Sequence, residues 1–405
     1  MTAHNIQRQD QDEIAAIKPG ADLAARVESV AKIAAADAAA VDREARFPAA
    51  AMKAVRENRL LGLGVPRDLG GEALTLTNIA DACYQLGQAC AATGMVFAMH
   101  HSAAACVIRH AGGSTWHKSL MRKIADDQLL LASSTTEGQN GGNVRASAAP
   151  IEQDGADITL TRAATVISYG AEADVIVTTA RRAEDAPSSD QVLATFAKSD
   201  YGLEPLSGWN ALGMRGTASA GFTLKARGTR EQILPEPYER IHAQTMQPVS
   251  HLLWASVWAG IAADAVARAQ SFIRKAARQS GGTLPPGAAH FTKALSTLQN
   301  LRALIASSLA RFEAVAEDRA ALASLDFQTA ITLTKVDASE LAVATVLSAM
   351  RAAGLAGYRN DGEFTLGRHL RDILSAPIMI NNDRILANVS TSALMSGVPT
   401  SLRSE

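Results

Sequence analysis

The pattern of apolar residues changes twice along the chain, and the two changes divide it into three parts. Between residues 130 and 235, short apolar runs alternate with turn residues, whereas both flanking parts carry apolar residues at three- and four-residue spacing. The first pattern is typical of strands and the second of helices. Asp154-Gly155 separates the apolar runs 148–151 and 158–160 and predicts a β-hairpin. Further strands are predicted at 165–168, 175–179, 192–196 and 220–226.

The two flanking parts are predicted to be helical. Residues 22–59 and 74–123 have helical periodicity, and Pro48 stands where a helix begins. After Pro235 and Pro237, long helices are predicted at 251–278, 291–312, 330–353 and 380–395. Four consecutive long helices favour an antiparallel bundle. We therefore predict an N-terminal helical domain (1–130), a middle β domain (131–238) and a C-terminal four-helix bundle (239–405).

Composition argues against several classes of function. The 39 basic and 40 acidic residues give a net charge of -1, whereas a nucleic-acid-binding protein needs a basic surface. Two segments without Asp, Glu, Lys or Arg, 82–108 and 241–263, are predicted to be buried helices. The first contains His100, His101 and two glycines, and the apolar part of the second falls short of a membrane span. Three cysteines do not make a disulfide framework, and the N-terminus lacks an apolar secretory stretch. We expect a cytoplasmic protein that binds neither nucleic acid nor a membrane and has no metal site.

Several short motifs occur in an order that points to one family. They are Arg46-Phe47-Pro48, Thr136-Glu137, and the segments 165–170, 213–219, 277–279, 354–358 and 371–372. On these motifs the chain resembles the acyl-CoA dehydrogenase family of flavoproteins over about residues 22 to 396. The resemblance implies an α+β multidomain fold with an N-terminal all-α domain, a middle β-barrel-like domain and a C-terminal four-helix bundle. It also implies a homotetramer built as a dimer of dimers, with flavin bound across a dimer interface.

The resemblance also implies a set of flavin contacts. The backbone of residues 133–136 and the Thr136 hydroxyl match groups that meet the pyrimidine edge, and Ser168 replaces a hydroxyl residue near N5. Arg278 stands where the family has an arginine near the neighbouring subunit's flavin pyrophosphate. The other members of the predicted set are Ser133, Thr135, Gly141, Gly142, Val166, Arg351, Gly354 and Asn382.

Each of these assignments has a plainer alternative. The hydroxyls of Thr136 and Ser168 are also typical of residues at strand ends, which hydrogen-bond their own backbone. Arg278 is also typical of a solvated arginine at the end of a helix. Gly281 and Arg351 depart from the family pattern, in which an aromatic residue and a glutamine stand at these positions. The expected cofactor is FAD, with FMN as the alternative.

The family's catalytic carboxylate is missing at both of its known positions. The family's reaction removes a proton α to a thioester, and a positioned base contributes about 10² to 10⁴ in rate. The two glutamate positions correspond to Ile380 and, approximately, Ser250. Asp383 and His251 are the candidate replacements, while the backbone N–H of Ile380 can still donate to a substrate carbonyl. The alternatives are that Asp383 lies in the first turn of a helix capped by a preceding asparagine, and that His251 is a packed core residue.

The sequence is compatible with three functions. The expected one is α,β-dehydrogenation of an acyl-CoA or acyl-carrier-protein thioester, an oxidation of a CH-CH donor with an electron-transfer flavoprotein as acceptor. The second is a flavin-dependent monooxygenase of the same fold, which needs no glutamate and takes reduced flavin from a flavin reductase. Such relatives often carry a histidine after the arginine-aspartate pair, and residues 370–405 contain none. The third is a non-catalytic flavin- or acyl-binding relative.

Overall fold

The computed structural model describes residues 22–138, 144–395, 397–398 and 401. Helices form its N-terminal part: α1 (Leu23–Glu44), α2 (Ala49–Glu57), α3 (Leu76–Ala89), α4 (Ala91–His110) and α5 (Thr115–Asp126). The Asp22 carboxylate caps α1 by accepting the Ala24 N–H at 3.0 Å. The helix ends at Ala45, whose φ of 52° leaves the helical region. The predicted helical N-terminal part is confirmed.

The middle part of the chain forms two small sheets. Its strands are β1 (Leu131–Ser134), β2 (Glu152–Asp154), β3 (Asp157–Ala164), β4 (Val175–Arg181), β5 (Gln191–Ala197), β6 (Tyr201–Ser207) and β7 (Gly221–Thr229). One sheet has the order β1-β4-β5, with β1 parallel to β4, and the other has the antiparallel order β2-β3-β7-β6. Asp154 pairs with Asp157 across the turn, which confirms the predicted hairpin. Gly155 makes this turn with a φ of +60°, a conformation that favours glycine.

One expectation for this middle part needs correction, and the barrel-like arrangement can be described more closely. The strands of the described residues form two open sheets and no closed barrel. Residues 165–168, predicted as a strand, form a loop between β3 and β4. There the Ile167 N–H donates to the Ala220 carbonyl at 2.8 Å, and Tyr169 takes a left-handed φ of 43°. The chain turns at this point, so an apolar run that would suit a strand becomes a connector.

The C-terminal part is a helical bundle. It contains α6 (Tyr238–Ile241), a π-helical turn (His242–Met246), α7 (Gln247–Gln279), α8 (Ala288–Val315), α9 (Arg319–Ala323), α10 (Leu325–Ala353), α11 (Leu355–Tyr358), α12 (Gly367–Ile373) and α13 (Asn382–Met395). Helices α7, α8 and α10 pack on one another, and α13 lies against α10. The four long helices are therefore those predicted from the sequence. The buried residues of α13 are Asn382 and Ile385, so most of this helix is accessible.

Helix α7 joins the bundle to the N-terminal helices through a close contact with α3. A Cβ atom at Gly260 would lie 2.1 Å from the Tyr84 carbonyl oxygen, and one at Gly87 would lie 2.5 Å from the Val257 carbonyl oxygen. Glycine at these positions lets the two backbones approach. The two uncharged segments are buried helices, as predicted. Ala91–His110 and Tyr238–Gln279 are long and apolar enough to cross a membrane, but 83% of the most apolar 18-residue stretch of each is buried within the fold.

Candidate active site

A cavity of about 350 Å³ lies where the three parts of the chain meet. Its walls are α4, the end of β1, the π-helical turn with the start of α7, the start of α10, and α13. Its apolar lining includes Met99, Met246, Trp254, Leu325, Ile380, Ile385 and Val389. Its hydroxyl and amide lining includes Ser102, Ser133, Thr135, Gln247, Ser250, Gln328, Thr332, Asn381, Asn388 and Ser392.

The ionisable side chains of this cavity are unusual for a site that removes protons from carbon. Arg145 and Arg384 line it, together with Tyr238 and the two histidines His242 and His251. Among the described residues that line the cavity there is no aspartate or glutamate. The cavity therefore offers cationic and neutral hydrogen-bonding groups, and no carboxylate to act as a base.

Both histidines are neutral at pH 7. Burial lowers the pKa of His242 to about 3, with a further contribution from the nearby Arg145 charge. Burial also lowers the pKa of His251 to about 4. The Nδ1 atom of His251 lies 3.3 Å from the Ile331 carbonyl oxygen, which can only accept, so this nitrogen carries the proton. The Nε2 atom of His251 is then an acceptor.

The π-helical turn holds His242 in the cavity wall. Its residue Thr245 is bound from the neighbouring helix α4, because the Arg109 Nε donates to the Thr245 Oγ1 at 3.2 Å. The His110 Nε2 lies 2.8 Å from the same hydroxyl oxygen. Single π-helical turns are frequent at functional sites, where the extra residue changes the direction of the side chains. Here the turn brings His242 and Met246 to the same cavity.

A buried lysine supports the wall formed by Ile380. This β-branched residue has a φ of 50°, a left-handed conformation that is rare for isoleucine. The Lys335 Nζ donates to the Ile380 carbonyl oxygen at 2.9 Å and to the Asn382 Oδ1 at 2.7 Å. The Asn382 Nδ2 in turn donates to Ser339 and to Glu340, each at 2.9 Å. Lys335 is fully buried, and this burial lowers its pKa to about 8 although Glu340 acts in the opposite direction.

Sequence reasoning missed Lys335, although the chain carries a signal for it. Lys335 lies four residues after Ile331 and three before Ala338, and all three are buried on α10. A lysine on the apolar side of a core helix needs internal hydrogen-bond partners. The spacing therefore indicates that Lys335 has a structural or functional role. It does not indicate which groups Lys335 binds.

Comparison with known proteins adds the family to this geometry. The protein-family model of the acyl-CoA dehydrogenase N-terminal domain matches residues 22–128 of the sequence, and the family model of the acyl-CoA dehydrogenase C-terminal domain matches residues 244–394. Together these matches cover more than half of the chain. The chain belongs to the acyl-CoA dehydrogenase family. The resemblance inferred from the sequence motifs is confirmed.

Within this family the chain is similar to proteins of two kinds. It is 26% identical to the mitochondrial short-chain specific acyl-CoA dehydrogenase of Bos taurus over 350 residues, which are 83% of this chain and 80% of the relative. It is 24% identical to dibenzothiophene monooxygenase of Rhodococcus erythropolis over 247 residues, 58% of each chain. The structure of TdsC from Paenibacillus sp. A11-2 with FMN and indole shares the fold, with a TM-score of 0.81 at 19% identity over 93% of this chain and 98% of TdsC. Both dehydrogenases and monooxygenases are oxidoreductases, so membership does not decide the reaction.

The two residues predicted to stand at the family's base positions line the cavity. Ile380 and Ser250 both face it, as does His251. Asp383 does not line it and is exposed on the first turn of α13. The Asn381 Oδ1 accepts the Arg384 N–H at 3.0 Å, so Asn381 caps this helix and Asp383 follows the cap. The structure brings His251 to the cavity but not Asp383.

The predicted flavin contacts divide between several places. Ser133 and Thr135 line the cavity. Thr136, Val166 and Ser168 are half-buried outside its lining, and the Ser168 hydroxyl lies 2.8 Å from the Ser219 hydroxyl. The amide of Asn382 is occupied by the network behind Ile380. Gly141 and Gly142 lie outside the described residues.

The remaining members of the predicted set lie at the other end of the bundle. Arg278 is exposed in the last turn of α7, 27 residues after His251, which corresponds to about 40 Å of helix. Arg351 and Gly354 are exposed at the end of α10. Gly354 has a φ of +55° and a ψ of -136°, a conformation restricted to glycine. These three residues cannot contact a ligand in the cavity of their own chain.

Glu137, which belongs to one of the sequence motifs, has a structural role. It is buried, its Oε2 accepts the Ala148 N–H at 2.6 Å, and its Oε1 lies 3.4 Å from the Arg162 guanidinium. Arg162 is also fully buried and donates to the Thr179 carbonyl oxygen. This ion pair joins the segment after β1 to β3 and β4 and keeps the Glu137 carboxylate away from the cavity.

The donors around the cavity fit a flavin. An isoalloxazine ring has acceptors along its pyrimidine edge and at N5, and therefore needs hydrogen-bond donors around it. Ser133 and Thr135 provide hydroxyls. The indole Nε1–H of the cavity-lining Trp254 is buried and has no hydrogen-bond partner among the described residues. Buried donors without a partner are uncommon and are explained when a ligand supplies the acceptor.

Proposed function

We propose that this family member is a flavin-dependent monooxygenase that uses reduced flavin and O2. The observation that carries the proposal is the cavity wall: Ile380 and Ser250, the residues predicted at the family's base positions, line it, and none of its described lining residues is an aspartate or glutamate. A dehydrogenase needs a base strong enough to remove a proton from carbon. His251, with a pKa of about 4, is a weak base, and Asp383 lies outside the cavity.

A flavin in this cavity would contact Ser133 and Thr135, with Thr136, Val166, Ser168, Gly141 and Gly142 as further proposed contacts. We propose FAD or FMN as the cofactor. When bound and reduced, the flavin supplies the electrons that activate O2. Arg278, Arg351 and Gly354 would serve the cofactor of another subunit, because about 40 Å of helix separates Arg278 from its own cavity. This arrangement requires a homo-oligomer, and we propose the family's tetramer.

The chain's own residues contribute binding, orientation and exclusion of water. Met99, Trp254 and Ile385 provide apolar surface for the substrate. His242 and His251 are neutral groups that can hydrogen-bond a substrate or product. The histidine that related monooxygenases often carry after the arginine-aspartate pair is absent from residues 370–405. In its place, His242 on the π-helical turn and His251 on α7 supply imidazoles to the cavity.

Incorporation of oxygen tests the proposal directly. The purified protein is loaded with FMN or FAD, supplied with NADH and a flavin reductase under ¹⁸O2, and incubated with indole or dibenzothiophene as probes. Mass spectrometry should find one ¹⁸O atom in the organic product, and omission of the reductase should abolish the product. Absence of labelled product with every probe, together with flavin reduction by an acyl-CoA, would refute the proposal.

A second candidate is an acyl-thioester dehydrogenase. The observation that favours it is the 26% identity to the short-chain dehydrogenase across 83% of the chain. In that case His251 would be the proposed base, an acyl-CoA or acyl-carrier-protein thioester the substrate, and an electron-transfer flavoprotein the acceptor. An acyl-CoA would then reduce the bound flavin without O2, which a monooxygenase substrate does not do.

A further inference from the structure

One face of α13 forms a continuous wall of the cavity. Residues Asn381, Arg384, Ile385, Asn388, Val389 and Ser392 all line it, at the three- and four-residue spacing of a single helix face. Arg384, Asn388 and Ser392 follow one another at four-residue intervals and form a polar row. Ile385 and Val389 form an apolar row beside it. The wall therefore presents hydrogen-bonding groups next to a strip of aliphatic surface.

The charge of this cavity is positive. Arg384 on α13 and Arg145 near His242 line it, and no described lining residue is acidic. The buried Lys335 behind Ile380 has Glu340 as a neighbour, joined to it through Asn382, so the formal charges of this pair cancel and the cavity's charge comes from its two lining arginines. The whole chain has a net charge of -1, so the positive cavity reflects local placement and not overall composition. A cavity lined by one sign of charge attracts ligands of the opposite sign.

Arg384 and Asn388 are exposed to solvent as well as lining the cavity, so the polar row borders its opening. A ligand that enters with its apolar part first would place a terminal polar group beside this row. Guanidinium groups bind carboxylate, sulfonate and phosphate oxygens through paired hydrogen bonds. The adjacent amide of Asn388 can donate to the same group.

We propose that the substrate carries an anionic group, of the carboxylate type, which Arg384 and Asn388 bind at the cavity opening while its apolar body lies against Ile385, Val389 and Trp254. This inference rests on the proposed function in one respect, because it takes the cavity to be the substrate site. Its chemistry is independent of whether the bound molecule is oxygenated or dehydrogenated. The same guanidinium could instead bind the phosphate of the flavin, and the experiment separates these two sources of the anion.

The test compares three probes that share the indole ring and differ in charge: indole-3-carboxylate, neutral indole and cationic tryptamine. Binding to the flavin-loaded and flavin-free protein is measured by calorimetry, without turnover. We expect indole-3-carboxylate to bind about fivefold or more tightly than indole, and tryptamine to bind more weakly than either. Because Arg384 is exposed, added salt should weaken carboxylate binding and leave indole binding unchanged. Equal or weaker binding of the carboxylate, including no binding at millimolar concentrations, would overturn the inference.

Variants assign this preference to α13. Arg384→Gln should remove the advantage of the carboxylate and change the affinity for indole less than twofold, while Arg384→Lys should retain part of the advantage. Arg122→Gln, at an exposed position of α5, is the matched control and should bind all probes like the wild type. Circular dichroism verifies that each variant is folded.

The flavin arm of the experiment uses FMN and riboflavin, which differ by the phosphate. If Arg384→Gln weakens FMN binding, leaves riboflavin binding intact and leaves the probe preference unchanged, the guanidinium binds the flavin phosphate and the substrate inference is wrong. If FMN and riboflavin bind as to the wild type and the carboxylate preference is lost, the inference holds. Because binding is measured without turnover, the preference can hold even if no oxygen is incorporated, so failure of the proposed function is distinguishable from failure of this inference.

Discussion

Replacement of Lys335 by methionine tests whether a buried cation supports the cavity wall. The change removes two hydrogen bonds, to the Ile380 carbonyl oxygen and to the Asn382 Oδ1, and leaves two buried acceptors that each cost about 1–3 kcal/mol when unsatisfied. It also removes the cost of burying a charge, which is of similar size. At a single pH the two contributions oppose each other, so the change in the free energy of unfolding on replacing Lys335 is small compared with either contribution. The dependence of that free energy on pH is the more decisive quantity.

The pH dependence follows from the pKa of Lys335. Burial lowers it from the usual 10.5 to about 8 in the folded protein. Between these two values the unfolded chain holds more protons than the folded one, so the stability of the wild type rises with pH. From pH 7 to pH 9.5 this linkage amounts to about 2 kcal/mol. The neighbouring His251, with a pKa of about 4, does not titrate in this interval.

The measurement is urea unfolding of both proteins at pH 7 and pH 9.5. The free energy of unfolding of the wild type should increase by about 2 kcal/mol relative to that of Lys335→Met, because all other titrations are common to both proteins and cancel. Lys293→Met, at an exposed position of α8, is the matched control and should show no such difference. If the wild type and Lys335→Met change in parallel with pH, Lys335 is not the buried cation that the structure describes.

Three further variants test separate parts of the structure. Asp372 is buried and its pKa is raised to about 6, so between pH 4 and 6 the unfolded chain holds fewer protons than the folded one and the wild type loses stability as the pH rises. Asp372→Asn lacks this loss, and its free energy of unfolding relative to the wild type should be about 1–2 kcal/mol higher at pH 8 than at pH 5 in urea unfolding. Gly260→Ala places a Cβ atom 2.1 Å from the Tyr84 carbonyl oxygen and should lower the free energy of unfolding by about 2–4 kcal/mol. Gly113→Ala, whose Cβ atom would have nothing within 4 Å, should change it by less than about 1 kcal/mol. Equal effects of the two variants would contradict the close contact of α3 and α7. Asp383→Asn should leave substrate turnover unchanged, and a loss of about a hundredfold or more would restore Asp383 as a base.

The sequence predicted the arrangement of the chain well because its patterns are local. Helical periodicity identified α7, α8, α10 and α13, and the Asp154-Gly155 turn identified the β2–β3 hairpin. The segment 165–168 was wrongly predicted as a strand, because its apolar pattern does not reveal that Tyr169 turns the chain. The resemblance implied a barrel-like middle domain but did not reveal that its two sheets stay open, because closure depends on pairing between distant strands.

The site was predictable only in part, since it is assembled from distant segments. The motifs identified Ser133, Thr135, His251 and Ile380, which line one cavity although they lie far apart in the chain. The sequence did not indicate whether Asp383 would face that cavity, because this depends on where α13 begins and how it packs. The network of Lys335 was missed for the same reason, since its partners lie about 45 residues further along the chain.

Anaerobic mixing of the flavin-loaded protein with a panel of acyl-CoA thioesters tests the central claim most directly, because it asks whether this cavity can remove a proton from carbon. Because Ile380 and Ser250 stand at the predicted base positions and line the cavity, the visible absorbance of the oxidised flavin should persist with every thioester. The variant Ile380→Glu, which places a carboxylate at one of these positions, is the comparison. Rapid bleaching of the wild-type flavin by any acyl-CoA would show that a base is present, and would identify the protein as a dehydrogenase.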